Sequence, residues 1–444
     1  MTPGIAEAGS DARGADAGAV AGIADAGAVA GIADAGSVAG IAEAGSDARG
    51  ADAGAVAGIA DAGAVAARAD AGGRALPLAD GCDWRRQLRD AVRSVEELGV
   101  HLALTASELE GARRAESAGL PVQITPYYLS LADPHDESCP IRRQVVPRLE
   151  EACDAEGDLV DPLGEEAHEV APGLVRRYPD RALFVVTDHC AIYCRFCTRS
   201  RIVGGGAGPM PEAAREAALD YLRAYPEIRD VILSGGDPLT LADGKLVALV
   251  ASLRAIPHVE VIRIATRVPV CLPQRIDEAL VLSLAPYHPL WVMTHFNHPK
   301  ELTREAERAC RTLVDGGFPV MNQTVLLRGV NDDTATLEAL FRGLVRWRVK
   351  PYYLHQMDPV RGTSHLRSPL ARGIELMSEL QGRVSGIALP KLIVDAQGGM
   401  GKVHVAPDWI VSRAPGKTTL RTHRGVTVEY IDPPAPPDAA PDSA

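Results

Sequence analysis

Beyond residue 178 the apolar residues fall into short runs rich in valine, isoleucine and leucine, separated by amphipathic stretches of helix length. The runs at 183–187, 231–234, 261–265, 290–294, 320–326, 350–355 and 392–395 predict strands. The stretches at 211–225, 242–255, 301–316, 333–346 and 369–382 predict helices. Repeated strand–helix units imply an α/β architecture, a parallel sheet with helices outside it. Polar residues then line up where these strands end. A cysteine-bearing loop follows the first strand, Ser234-Gly235-Gly236-Asp237-Pro238 the second, Thr266-Arg267 the third and Thr294-His295-Phe296-Asn297-His298 the fourth. Asn322-Gln323 lies in the fifth, and Gln356-Met357-Asp358 follows the sixth. Ligand chemistry at the C-terminal ends of successive parallel strands is what a full or partial barrel produces, whereas a flat doubly wound sheet concentrates it at one switch point.

The flanks follow other patterns. Residues 80–169 read as mainly helical, in stretches such as 84–92 and 107–116, cut short by Pro121, Pro126, Pro134, Pro140 and Pro147. Residues 1–78 are a low-complexity block in which 4–30 recur unchanged as 40–66. Alanine and glycine offer little surface to bury, so a disordered tail is expected there, with a short-period solenoid as the rival reading. The expected plan is a tail to 78, a helical region 79–170, a partial barrel 171–400, a C-terminal segment 401–430 and a Pro-rich disordered tail 431–444.

With 46% apolar residues, a chain of 444 can build one large domain and smaller pieces. The net charge is −12, of which −7 falls in residues 1–80 (eleven acids, four arginines). That balance points to neither nucleic acid nor an anionic membrane as partner. Five of the eight cysteines show no paired spacing, which fits a reduced cytoplasm better than a disulfide scaffold. No apolar run reaches eighteen residues and no signal-peptide pattern opens the chain, so a cytoplasmic protein is expected.

The chain is organised around Asp188-His189-Cys190-Ala191-Ile192-Tyr193-Cys194-Arg195-Phe196-Cys197-Thr198-Arg199. Three cysteines spaced C-x3-C-x2-C can set three thiolates on one iron–sulfur cube and leave the fourth iron open to chelate a small molecule. The alternative is a zinc site or three buried thiols, but no later Cys or His pair closes a tetrahedral zinc set. A second candidate is Asp395-Ala396-Gln397-Gly398-Gly399-Met400-Gly401-Lys402. A lysine after a glycine-rich loop suits a Schiff base, because the backbone can approach a ring and a dry pocket keeps the amine neutral. Alone, a Gly-Lys pair is common, and this loop lacks the Walker spacing.

The cysteine triplet with Gly235-Gly236-Asp237 after the second strand resembles radical S-adenosylmethionine (SAM) enzymes. Tyr178-Pro179-Asp180-Arg181, Tyr193-Cys194-Arg195-Phe196-Cys197-Thr198-Arg199, Leu233-Ser234-Gly235-Gly236-Asp237, Thr294-His295-Phe296-Asn297-His298-Pro299 and Leu327-Arg328-Gly329-Val330-Asn331-Asp332 are similar, in order, to lysine 2,3-aminomutase and its relatives. This resemblance covers roughly residues 85–430 and implies a partial (β/α) TIM-like barrel of the radical SAM type with an N-terminal helical extension.

By that resemblance, Cys190, Cys194 and Cys197 hold a [4Fe–4S] cluster, and SAM lies by Gly235, Gly236, Asp237, His295 and Gln323. The two glycines would let the backbone approach SAM, an ordinary strand-to-helix turn being the alternative. Lys402 matches the lysine that carries pyridoxal 5′-phosphate, with Arg177, Tyr178 and Arg181 nearby. The implied reaction cleaves SAM to a 5′-deoxyadenosyl radical and moves an amino group from Cα to Cβ, giving a β-amino acid. Arg199 matches the partner of the substrate carboxylate, and Asp358 and Asp395 match the pair that grips a side-chain cation. Two carboxylates in a closed pocket are costly without such a cation.

Lysine and arginine both satisfy that requirement. The family favours lysine, whereas Met357, Pro359, Arg361, Gln397 and Met400 depart from the lysine pattern beside both carboxylates, where a planar guanidinium could be accommodated. The composition suggests a GC-rich genome and, as a hypothesis, a role in making an antibiotic building block. The alternatives are a lysine enzyme serving translation-factor modification and a non-catalytic iron–sulfur binding protein. The resemblance also implies an electron donor such as flavodoxin or ferredoxin. Asp333 stands where lysine aminomutase has a zinc cysteine, and no cysteine follows Cys310, so zinc is not expected; a homo-oligomer is.

Overall fold

In the computed structural model, which describes residues 83–117 and 121–433, ten strands form one sheet whose order follows the chain. They are β1 (Glu169–Ala171), β2 (Leu174–Tyr178), β3 (Arg181–Thr187), β4 (Asp230–Gly235), β5 (Val261–Ala265), β6 (Leu290–Thr294), β7 (Val320–Leu326), β8 (Lys350–Gln356), β9 (Lys391–Ala396) and β10 (Gly401–Val405). Strands β3 to β9 are parallel and correspond to the seven predicted from sequence. Antiparallel β2 and β1 extend one edge and antiparallel β10 the other. Because β1 and β10 do not pair, the barrel stays open.

The periodicities that predicted these elements also explain their seating. In β7, Val320, Asn322, Thr324 and Leu326 are buried, and the alternate Met321, Gln323 and Val325 are partly exposed. Helix Arg304–Asp315 buries Ala306, Ala309, Cys310 and Leu313, a spacing of three and four that lays one stripe on the sheet. Thr303 caps it, its hydroxyl accepting from the Ala306 N–H at 3.1 Å. Helix Thr334–Arg346 is capped in the same way by Asp333, 2.9 Å from the Thr336 N–H. One core fills the space between sheet and helices, with Leu233, Ile264, Val292, Leu354 and Leu392 at its centre.

Two regions differ from expectation. Between 79 and 170, short helices such as Val95–His101, Ala106–Ser117 and Pro126–Ser130 are present, but residues 153–165 form an irregular strap, and β1 begins before 170. Its Leu159 bridges to Val360. Past β10, a separate antiparallel sheet joins β11 (Ile410–Ala414), β12 (Lys417–Arg421) and β13 (Thr427–Ile431). Strands β11 and β13 are exposed along their whole length, so no buried face sets them apart. The predicted tail 1–78 and residues 434–444 lie outside the described residues. Among the described residues no helix is long and apolar enough to cross a membrane.

The cysteine loop is seated on the end of β4. The Gly236 N–H donates to the Thr187 carbonyl at 2.7 Å and the Asp237 N–H to the His189 carbonyl at 2.6 Å. A Cβ at Gly236 would stand 2.1 Å from the His189 oxygen, and one at Gly235, where φ is +122°, 2.3 Å from the Thr187 oxygen. These glycines therefore first admit the loop's own backbone, a closer demand than the approach of a cofactor. Gly236→Ala is expected to cost about 1–3 kcal/mol in denaturant unfolding. Gly244→Ala, in helix Asp243–Arg254 with open space around it, is expected to stabilise by about 0.5–1 kcal/mol. Equal effects of the two would contradict this seating.

Candidate active site

One cavity of about 360 Å³ is lined by residues from every strand from β2 to β10 and by the loops that follow them. Every site residue expected from sequence lines it, from Arg177 on β2 to Lys402 on β10. Thiols gather at one end, and at the other the Lys402 amine meets the Asp395 carboxylate, with Asp358 also on the cavity wall.

At the thiol end, burial, with Asp237 and the neighbouring thiols adding to it, pushes Cys190 well above the usual thiol range. Burial and Cys194 push Cys197 up to about 11. Of these three cysteines, among the described residues, only Cys194 has a cation on its sulfur, the Arg267 Nη1 at 2.7 Å. Among the described residues no three His, Cys, Asp or Glu side chains converge to hold a single metal ion. Ligands that each take a separate iron of a cube need not converge, and the cube's positive charge would relieve thiolates that the protein leaves largely without cations. The residues fit a cluster.

Asp237 does not present an open carboxylate. It accepts from Thr266 Oγ1 at 2.7 Å, the Arg267 N–H at 2.7 Å and the Leu239 N–H at 3.0 Å, tying the ends of β4 and β5 together. Its carboxylate is thus already satisfied by protein donors. His295 packs its ring 5.6 Å from Phe196, and burial with the nearby Arg267 charge holds it well below the usual imidazole range. Its buried Nε2 has no partner, and neither has Thr294 Oγ1. These are polar atoms that a ligand in the cavity would satisfy.

At the amine end, Lys402 Nζ donates to Asp395 Oδ2 at 2.6 Å, and His355 Nδ1 stands 3.3 Å from the same oxygen. His355 Nε2 is 3.0 Å from Gln323 Oε1, so a line of contacts runs from Gln323 to Lys402. Although burial opposes it, the His355 and Lys402 contacts hold Asp395 well below the usual carboxylate range. Asp395 Oδ1 is buried without a partner. Asp358 is pushed up to about 7 by burial and by the Asp395 charge.

The loop before Lys402 needs its glycines. Gly398, Gly399 and Gly401 have φ of +68°, +80° and +103°, and a Cβ on Gly399 would meet His168 at 2.6 Å. Met400, with φ −67° and 84% exposed, interrupts the run at a position that needs no glycine. Tyr178 OH accepts from the Lys402 N–H at 2.9 Å, and Arg181 lies 4.3 Å over the Tyr178 ring. Arg177 donates to the Leu163 carbonyl at 3.2 Å. An amine, a phenol and two guanidiniums around one opening fit a phosphorylated aldehyde.

Some expected residues have protein partners that the sequence did not reveal, and four residues were missed. Arg199 is already engaged: Glu165 accepts from its Nε at 3.0 Å and Nη2 at 2.7 Å, and Ser234 Oγ accepts from Nη1 at 3.1 Å. A buried guanidinium requires such a partner, and nothing in the irregular strap marked Glu165 as that partner. Of the five positions that depart from the lysine pattern, only Met357 lines the cavity. The Pro359 carbonyl and the Arg361 N–H instead pair with Leu159 of the strap. His355 carried a usable signal, since it alternates with Tyr353 on β8 and both line the cavity. Arg267 and Ser234 stood in motifs read for other reasons.

Asp358 makes stability depend on pH. In the folded chain it keeps its proton up to about pH 7, against an ordinary value of 3.8. Between those values the folded state binds the extra proton, so its stability falls as pH rises through that window. Asp358→Asn is expected to stabilise the cofactor-free protein by on the order of 2 kcal/mol near pH 8, with the gap closing near pH 4. Denaturant unfolding at both pH values checks this; a gap independent of pH contradicts it.

Comparison with known proteins agrees with the geometry. The family model described as Lysine-2,3-aminomutase matches residues 377–444, and that of the Radical SAM superfamily matches 184–340. An L-lysine 2,3-aminomutase of Clostridium subterminale is 47% identical over 79% of this chain and 84% of its own length. One from Fusobacterium nucleatum is 46% identical over 79% of this chain and 82% of its own. A glutamate 2,3-aminomutase of Clostridioides difficile is 40% identical over 79% of this chain and 83% of its own. The chain belongs to the lysine 2,3-aminomutase family of radical SAM isomerases, which work with a [4Fe–4S] cluster, SAM and pyridoxal phosphate.

Proposed function

We propose that this chain moves the α-amino group of a basic L-amino acid, L-arginine or L-lysine, to C3 to give the β-amino acid. The observation that carries this reading is the carboxylate pair at the amine end. Among the described residues, Lys402 is the one cation hydrogen-bonded to either Asp358 or Asp395, and the cofactor takes that amine. Asp395 then keeps an unpartnered Oδ1 and an Oδ2 whose remaining contact is His355 Nδ1, and Asp358, which holds its proton up to about pH 7, ionises against an incoming cation. A cationic side chain is the ligand that completes this pocket.

The remaining roles follow the cavity's division. Cys190, Cys194 and Cys197 hold the cluster; His295, Gln323 and the Gly235–Gly236–Asp237 backbone face SAM. Arg177, Tyr178 and Arg181 hold the pyridoxal phosphate beside Lys402. When bound, these groups supply a hydrogen-abstracting radical and a ring that carries the migrating nitrogen. Arg199, fixed by Glu165, offers Nη1 to the substrate carboxylate, which sets the α-carbon between the two cofactors. The seven described cysteines are free, which suits a reducing compartment such as the cytoplasm and a flavodoxin or ferredoxin as electron donor. Supply of a β-amino acid building block for an antibiotic is the role we favour.

The test is anaerobic reconstitution with iron, sulfide, pyridoxal phosphate, SAM and reductant, with L-arginine, L-lysine and L-glutamate in separate reactions. Conversion of one basic amino acid to its β-isomer, with glutamate inert, is the expected result. Conversion of glutamate alone, or none while 5′-deoxyadenosine forms, overturns the substrate assignment. Asp358→Asn and Asp395→Asn should each raise KM for the basic substrate roughly 10- to 100-fold, the equivalent of losing a charge-assisted hydrogen bond of about 1.5–3 kcal/mol.

A further inference from the structure

The most thoroughly enclosed cation of the cavity is not one the proposed reaction uses. Arg267, just past β5, is 7% exposed. Its Nη2 donates to Glu301 Oε1 at 2.9 Å, to Gln144 Oε1 at 2.5 Å and to Tyr128 OH at 3.1 Å. Tyr128 and Phe196 lie against it, each ring 5.4 Å from the guanidinium carbon. Glu301 is itself fully buried and is fixed by the Asn297 N–H at 2.6 Å, the His298 N–H at 3.0 Å and Tyr128 OH at 2.7 Å. The charge of Arg267 is thus answered by Glu301, on the side away from the thiols.

What this pairing leaves over is the other edge of the guanidinium. Nη1 donates to Cys194 Sγ at 2.7 Å, and the buried Nε–H has no acceptor. An arginine placed only to neutralise Glu301 would not need to spend its second edge on a sulfur, nor leave a buried donor facing no protein group. Hydrogen bonds to cluster sulfurs and positive charge nearby stabilise the more negative, reduced form of an iron–sulfur cluster and raise its reduction potential.

We infer that Arg267 is a positioning residue that sets the reduction potential of the cluster, through its N–H···S bond to Cys194 and a charge held in place by Glu301. This rests on the reading of Cys190, Cys194 and Cys197 as cluster ligands. The step it tunes is the entry of one electron, from a low-potential iron–sulfur or flavin carrier, which takes the cluster from the 2+ to the 1+ state with no proton moved. Lysine at this position would keep the charge but lose the planar fork that reaches sulfur and carboxylate together.

The test is a redox titration followed by electron paramagnetic resonance on the reconstituted wild type, Arg267→Met and Arg267→Lys, with iron and sulfide measured for each. The expected order of midpoint potentials is wild type highest, the lysine variant lower and the methionine variant lowest. A methionine variant with full iron and sulfide and a wild-type midpoint overturns the inference. If the methionine variant does not load a cluster, the lysine variant decides: a lowered midpoint supports the inference and an unchanged one overturns it. Failure of the wild type to take up any cluster would instead overturn the ligand reading beneath it.

Discussion

A guanidinium or carboxylate taken out of water must meet an opposite charge, a set of hydrogen-bond partners or a proton, and that requirement shapes this cavity more than any other. The cysteine loop carries Arg195 and Arg199 on either side of Cys197, and each is clasped by a glutamate from the chain upstream. Arg195 Nε lies 3.0 Å from Glu151, and Arg199 Nη2 lies 2.7 Å from Glu165. Arg267 is answered by Glu301 and Lys402 by Asp395. The three arginine–glutamate pairs join residues 34 to 44 apart in sequence, so the chain upstream of β1, the cysteine loop and the ends of the barrel strands hold one another in place. Removing one member would strand a buried charge, at about 3–5 kcal/mol.

The division of the cavity follows from how those charges are spent. At the thiol end the cysteine loop supplies three sulfurs and one cation contacts them, and the imbalance suits a positively charged cluster. At the other end it supplies two carboxylates and one hydrogen-bonded amine, and the imbalance suits a cationic side chain once the amine is engaged. The contacts from Gln323 through His355 to Asp395 and Lys402 run across β7, β8, β9 and β10, so this wall of the cavity is held as one line.

Much of this was legible in the chain. The seven parallel strands and their helices followed from apolar runs and helical stripes, because each is buried on the face its periodicity marks. The chemistry-bearing residues sat where the strands ended, so placing the strands placed the site. What could not be read were partners set by tertiary contact. Glu165 lies on an irregular strap, Glu301 looks like any acid opening a helix, and β11 to β13 carry no buried face. Gly235 and Gly236 were legible as a glycine requirement, but its cause, the Thr187 and His189 carbonyls, emerged only from the packed loop.

The central claim is that Asp358 and Asp395 receive the side-chain cation of the substrate. The most direct measurement is an anaerobic crystal structure of the reconstituted enzyme with L-arginine or L-lysine bound. The account predicts side-chain nitrogens within about 3.2 Å of Asp395 Oδ1 and of the Asp358 carboxylate, with the substrate carboxylate on Arg199 Nη1. A side-chain cation lying elsewhere, with both carboxylates still paired only to protein groups, would contradict it.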